Sequence, residues 1–188
     1  MSGNFFGYHG LELEKEREIS KLAKRVVSIS LTLENLSKCD SQCSNIFTFA
    51  ESCTGGLLAS WAASIPGVSS VFPGSAVTYS DRSKIEQLSV SPETIERHGA
   101  VSAQCAAEMA WGVLKLFNTM LAVSVTGIAG PGGGSEEKPV GTVWFALAYS
   151  DGRMKLKRGI YRRGPRRIVQ LCAVRSAFDL LLAGLDEV

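Results

Sequence analysis

Through the first part of the chain the apolar residues Ile19, Leu22, Ala23, Val26, Ile29, Leu33 and Leu36 recur at three- and four-residue steps. This spacing predicts a long helix from Leu11 with one buried face, ended by the polar stretch SKCDSQCSN. Residues 1–10 carry no such period and are expected to be a mobile leader. Residues 46–50 are a short apolar run of β type, and 57–64 are small and apolar enough for a helix closed by Pro66 and Gly67. Residues 75–79 predict a second strand, after which Ser80 or Asp81 caps a short helix through Leu88. Cys105, Met109, Trp111, Val113, Leu116 and Phe117 mark a helix over 103–117, and residues 121–126 are continuously apolar, as in a strand buried on both faces. A hairpin of 140–149 and 154–161 turns through Ser150, Asp151 and Gly152, and 166–182 form a final amphipathic helix. The alternation predicts an α/β fold: a single three-layer α/β/α domain over 11–188 with a mixed sheet, preceded by the N-terminal helix.

Composition changes this picture little. A chain of 188 residues suits one domain that buries roughly 70% of its unfolded surface, and 45% apolar with 20% charged residues is ordinary globular usage. A net charge of +2 gives no reason to expect nucleic acid or a membrane as partner, although Arg162, Arg163, Arg166 and Arg167 could together hold one phosphate. Five irregularly placed cysteines do not resemble a secreted disulfide framework, so a reducing cytoplasm is expected. Cys39 and Cys43 lack a second ligand pair, and His9 and His98 are remote, so no metal is expected. No signal-peptide pattern and no run of roughly 18 to 20 apolar residues is seen, and the protein is read as soluble.

The candidate chemistry begins at AESCTGG, residues 50–56. A strand ending at Ala50 that turns into a helix near Thr54 puts Ser52 at the positive helix end, among backbone N–H groups able to hold an anion. Ser52 or Thr54 acting only as a cap accounts for the same junction. Neither GxSxG nor GxxxxGK[ST] is present. A serine nucleophile needs a base, and with two histidines a Ser-His-Asp triad is poorly supplied; Cys53 with His98 is the thiol alternative. Lys84 in YSDRSKIEQL is the other candidate, because the first turn of a helix disfavours an ammonium and lowers its pKa. Tyr79 stands close enough in sequence to assist proton transfer, or is an edge aromatic with its hydroxyl in water. The glycine-dense loop after residue 126 permits close approach to a ligand and an anion nest, with Arg166 as a bidentate phosphate partner; a flexible connection is the plainer reading.

Four stretches together, TFAESCTGGLLAS, PGVSSVFPGSAVTYSDRSK, ETIERHGAVS and SVTGIAGPGGGSEEKPVGTVWFALA, resemble the CinA C-terminal domain family over roughly residues 45 to 183. The stand-alone members of that family are nicotinamide-nucleotide amidohydrolases. The resemblance implies an enzyme that hydrolyses the carboxamide of nicotinamide mononucleotide to nicotinate mononucleotide and ammonia, with a serine/lysine pair and neither metal nor cofactor. By matching positions it implies Ser52 as nucleophile, Lys84 as general base and Tyr79 as assistant. Ser69, Thr126, Gly127, Gly130, Gly132, Gly133 and Arg166 are then the substrate-binding residues. Two positions depart from the family: PGSSAVF reads PGVSSVF, with Val68 for the first serine, and Gly-Asp-Arg reads Gly-Pro-Arg, with Pro165 for the aspartate. Longer members carry an additional N-terminal domain, where about 45 residues, mostly one helix, stand here. The expected partners are a small nucleotide substrate and further copies of the chain. A non-catalytic nucleotide-binding or interaction module is the alternative, and the presence of both Ser52 and Lys84 favours the enzyme.

Overall fold

Large and small residues alternate along the strands, and this alternation decides how the layers pack. The computed structural model describes residues 5–37, 45–162 and 164–188. In chain order the elements are α1 (Phe5–Ser37), β1 (Phe47–Glu51), α2 (Leu57–Ala63), a 3-10 turn (Val68–Ser70), β2 (Ser75–Val77), α3 (Asp81–Leu88) and α4 (Pro92–His98). They continue with α5 (Ala103–Phe117), β3 (Leu121–Gly127), β4 (Thr142–Tyr149), β5 (Met154–Ile160) and α6 (Arg166–Leu185). The sheet runs in the order β2-β1-β3-β4-β5, with β1 parallel to β2 and β3, and β4 antiparallel to both β3 and β5. It is a mixed sheet with helices on both sides.

One face carries the bulk. Phe47, Phe49, Leu121, Val123, Val125, Val143, Phe145 and Leu147 pack against α6, α2 and α1, where Phe47 stacks on Phe72 at 5.2 Å and Phe49 meets Phe178 edge-on at 5.7 Å. The opposite face is built of Ala50, Ala76, Ala122, Ala146 and Ala148, whose small side chains let α5 lie close to the strands. The approach is close enough that the Ser124 hydroxyl donates to the Ala106 carbonyl at 2.5 Å. Ser80 and Ser102 cap α3 and α5, each hydroxyl accepting from a backbone N–H at 3.1 Å.

Close packing continues outward from α5 to α3. A Cβ on Gly112 would stand 2.1 Å from the Leu88 carbonyl oxygen, a backbone atom that cannot swing aside. Gly112→Ala is therefore expected to destabilise the fold by about 2 to 3 kcal/mol despite its better helix propensity. Urea unfolding should show the lost midpoint at constant slope, and an unchanged midpoint would contradict this packing.

Three expectations are corrected. The helix begins at Phe5, so residues 5–10 belong to α1 rather than to a leader; a helix start does not require an apolar stripe. The final helix is buried on most sides instead of amphipathic, because it lies between the sheet and α1. By length and composition α6 would also suffice to cross a membrane, contrary to the expectation that no such stretch exists; here most of that apolar length is covered within the fold. Arg167 to Glu16 at 3.1 Å and Arg175 to Glu18 at 3.4 Å are part-exposed ion pairs joining α6 to α1. The zinc reading of Cys39 and Cys43 falls outside the described residues.

The topology marks a place for ligands. The chain leaves β1 for β2 on one side and later returns to β3 on the other, so the carboxyl ends of β1 and β3 flank a point where the strand order reverses. In open α/β sheets this is where a crevice forms.

Candidate active site

At the end of β1 the ladder extends one residue further, the Ser52 N–H donating to the Val125 carbonyl at 2.9 Å. The chain then turns through Gly55 (φ 62°) and Gly56 (φ 95°), so α2 starts at Leu57, where the apolar run of 57–64 predicts it, and not near Thr54 as the placement of Ser52 at its end supposed. Its positive end is not open. The buried Glu51 carboxylate accepts from the N–H groups of Gly56 (3.0 Å), Leu58 (3.1 Å) and Ala59 (2.9 Å). The first turn of α2 is thus taken by a side chain of the protein itself, which corrects the expectation that it holds an anion. The amides left in the turn are those of Cys53 and Thr54, which have no hydrogen-bond partner in another residue among the described ones. Gln170 fixes the turn from α6, its amide donating to the Cys53 carbonyl at 2.9 Å.

Lys84 enters from the first turns of α3 and is only 1% exposed. Its side-chain nitrogen donates to the carbonyls of Thr78 at 3.0 Å and Tyr79 at 3.2 Å. Desolvation on burial pushes its pKa below the ordinary lysine value, with Cys105 and then Asp81 pulling the other way. Cys53 responds oppositely: burial pushes its thiol up to about 12, which leaves it un-ionised at neutral pH. His98 closes α4 and lines a separate surface groove, so the structure does not bring it to Cys53, and the thiol alternative loses its base.

The third wall is the loop after β3. Gly127 is required by close approach, since a Cβ there would meet the Thr142 carbonyl oxygen at 2.8 Å. Gly130 has φ 85°, and a Cβ would stand 2.6 Å from the Val140 side chain. Thr126 turns its hydroxyl to the Ala100 carbonyl at 2.8 Å, so it pins the connection between α4 and α5 to β3. Arg166, the first residue of α6, donates to the Gly130 carbonyl at 2.9 Å and also to the Tyr79 hydroxyl. That arrangement holds the Tyr79 hydroxyl on the guanidinium at an exposed rim, and the tyrosine is 59% exposed.

Ser52, Tyr79, Lys84, Thr126, Gly127, Gly130, Gly132, Gly133 and Arg166 all line one pocket of about 270 Å³, at the carboxyl ends of β1 and β3. Ser69 does not. It is exposed on the 3-10 turn beside Val71, whose carbonyl accepts from Ile46 and Phe47 at the opposite end of β1. Sequence reasoning missed Glu51, Asp81 and the Ala100 and Val101 wall; a carboxylate just before a serine and a Gly-Gly helix start was the available signal for Glu51. No group of three or more His, Cys, Asp or Glu side chains that could hold a metal occurs among the described residues.

The model of the CinA C-terminal domain matches residues 31–185. The chain belongs to that family. A CinA-like protein of Fervidobacterium nodosum is 52% identical over 139 residues, which are 73% of this chain and 33% of that protein. The chain spans about a third of the length of the curated relatives it matches. Among solved structures, the competence/damage inducible protein CihA from Agrobacterium tumefaciens superposes with a TM-score of 0.81 at 39% identity, covering 90% of this chain and 96% of that one. A CinA superfamily protein from Klebsiella pneumoniae gives 0.80 at 33% identity, covering 90% and 99%. Of this CinA domain's two departures, Pro165 leaves the first turn of α6 without a side-chain cap, yet Arg166 still reaches the pocket. Val68 is a buried residue packed on the α1 and α2 side of the sheet.

Proposed function

We propose that this pocket hydrolyses the carboxamide of nicotinamide mononucleotide, with Ser52 as nucleophile and Lys84 as general base. One observation carries the reading. Two backbone carbonyls face the Lys84 nitrogen. An ammonium would keep a third N–H beyond these two acceptors, whereas a neutral amine uses both its N–H bonds on them and keeps its lone pair to take a proton. Burial favours that neutral form, and Ser52 lines the same pocket.

In the forward step Lys84 removes the Ser52 proton as the oxygen attacks the carboxamide carbon, and the Cys53 and Thr54 amides receive the charge developing on the carbonyl oxygen. The lysine ammonium then protonates the amide nitrogen as its bond to the carboxamide carbon breaks, so that it leaves as ammonia. Water attacks the acyl-enzyme with Lys84 again as base, which releases the acid and restores Ser52. The pyridinium charge of the substrate opposes an ammonium beside it, so binding itself biases Lys84 toward the neutral form. Arg166 and the glycine loop hold the phosphate, which converts binding remote from the carbonyl into orientation at it.

Arg166→Ala tests the phosphate role. It is expected to raise KM for nicotinamide mononucleotide by roughly 10- to 100-fold, as for a lost charge-assisted contact, while leaving the slower turnover of the unphosphorylated nucleoside little changed. Equal losses for both compounds in an ammonia-release assay would remove Arg166 from phosphate binding. The whole reading is tested by incubating the purified chain with nicotinamide mononucleotide, where release of ammonia is expected and its absence counts against an amidase.

A further inference from the structure

We propose that Glu51 is the positioning residue of this site: its carboxylate holds the turn at 52–54 in the shape that presents the Ser52 hydroxyl and the Cys53 and Thr54 amides to one bound carbonyl. The proposal rests on the amidase reading above. Glu51 follows Phe47 and Phe49 on the same face of β1, so the strand period directs it toward α2. It is 0% exposed, and no cationic side chain pairs with it among the described residues. Burying a carboxylate without a counter-ion is costly, and what offsets the cost is the amides of Gly56, Leu58 and Ala59.

A cap alone does not need this arrangement. Helices are ordinarily capped from the residue just before them by a Ser, Thr, Asp or Asn, and here that position is Gly56, which supplies no side chain. The cap comes instead from the strand end across the turn. Residues 52–55 are thereby strung between two points tied to one carboxylate, with Gln170 holding the Cys53 carbonyl as a third anchor.

Glu51→Gln keeps the volume but replaces one acceptor oxygen with a donor facing backbone N–H groups. The expected result is a fall of roughly 100-fold in kcat for nicotinamide mononucleotide, the scale of a lost oxyanion donor, with KM held and the pH limb of Lys84 unmoved. Hydrogen exchange should quicken in the peptide covering 52–59 and stay unchanged elsewhere. Unchanged kcat, unchanged exchange at 52–59, or a loss that only tracks a lower melting temperature with exchange quickened throughout, overturns the proposal. Glu51→Asp retains the charge on a shorter stem and serves if the glutamine variant does not fold; reduced kcat at constant KM supports the role, and wild-type kcat overturns it. Exchange requires no turnover, so an inactive wild-type chain would refute the amidase while the exchange result still decides Glu51.

Discussion

Ser52→Ala is expected to abolish ammonia release from nicotinamide mononucleotide, by on the order of 10⁴- to 10⁶-fold, while leaving the fold and nucleotide binding intact. The hydroxyl sits at the end of β1 in a turn held by backbone and Glu51 contacts that do not involve it, so its removal costs little stability. The Ser52→Ala, Lys84→Met double variant should be no slower than either single one, because a nucleophile and its base act as a unit. Single-turnover kinetics with an assay for the acyl-enzyme would show its loss in both. Ammonia release at the wild-type rate from Ser52→Ala sinks the dyad.

Lys84→Met is expected to be as damaging, and it carries a pH signature that no other residue of the site should reproduce. Catalysis needs the neutral amine, so kcat/KM in the wild type should rise with pH through the lowered pKa of Lys84 and level off above it. Stability has a matching dependence. Between the lowered folded pKa and the ordinary unfolded value, the unfolded chain binds the proton that the folded chain lacks, so stability increases with pH across that window. Below the folded pKa both states are protonated and the fold bears the full cost of a desolvated ammonium. Lys84→Met should lose this increment and be the more stable chain at acid pH, since it replaces a buried charge with an apolar chain of similar length. Urea titrations of both chains across the alkaline range test this, and parallel pH dependences would mean that Lys84 titrates as an ordinary lysine.

The candidate site could be read from the sequence to the extent that its parts are local. A serine after an apolar run, a lysine in the first turns of a capped helix and a glycine-dense loop after a doubly buried strand each follow from neighbours along the chain. Ser69 shows the limit. A motif match makes it a substrate-binding residue, but the connection after α2 carries it to the opposite end of β1, and only the backbone bonds from Ile46 and Phe47 to the Val71 carbonyl reveal that. Tyr79 shows another: its neighbour in chemistry is Arg166, far along the chain, and no local period announces such a pair.

What the sequence determined by itself is the run of strands and longer helices, the Ser80 cap of α3 and the glycine-dense loop after β3, because these rest on contacts within a few residues. The pattern of large residues on one strand face and alanines on the other is likewise written locally, and it dictates which helix lies closest to the sheet. The tertiary structure alone decided the strand order β2-β1-β3-β4-β5, and with it the crevice that gathers residues 52, 84, 127 and 166. It also decided that Glu51, unremarkable as a residue type, closes the start of α2. Long-range pairing is set by the summed burial of both sheet faces, a quantity no short window of sequence contains.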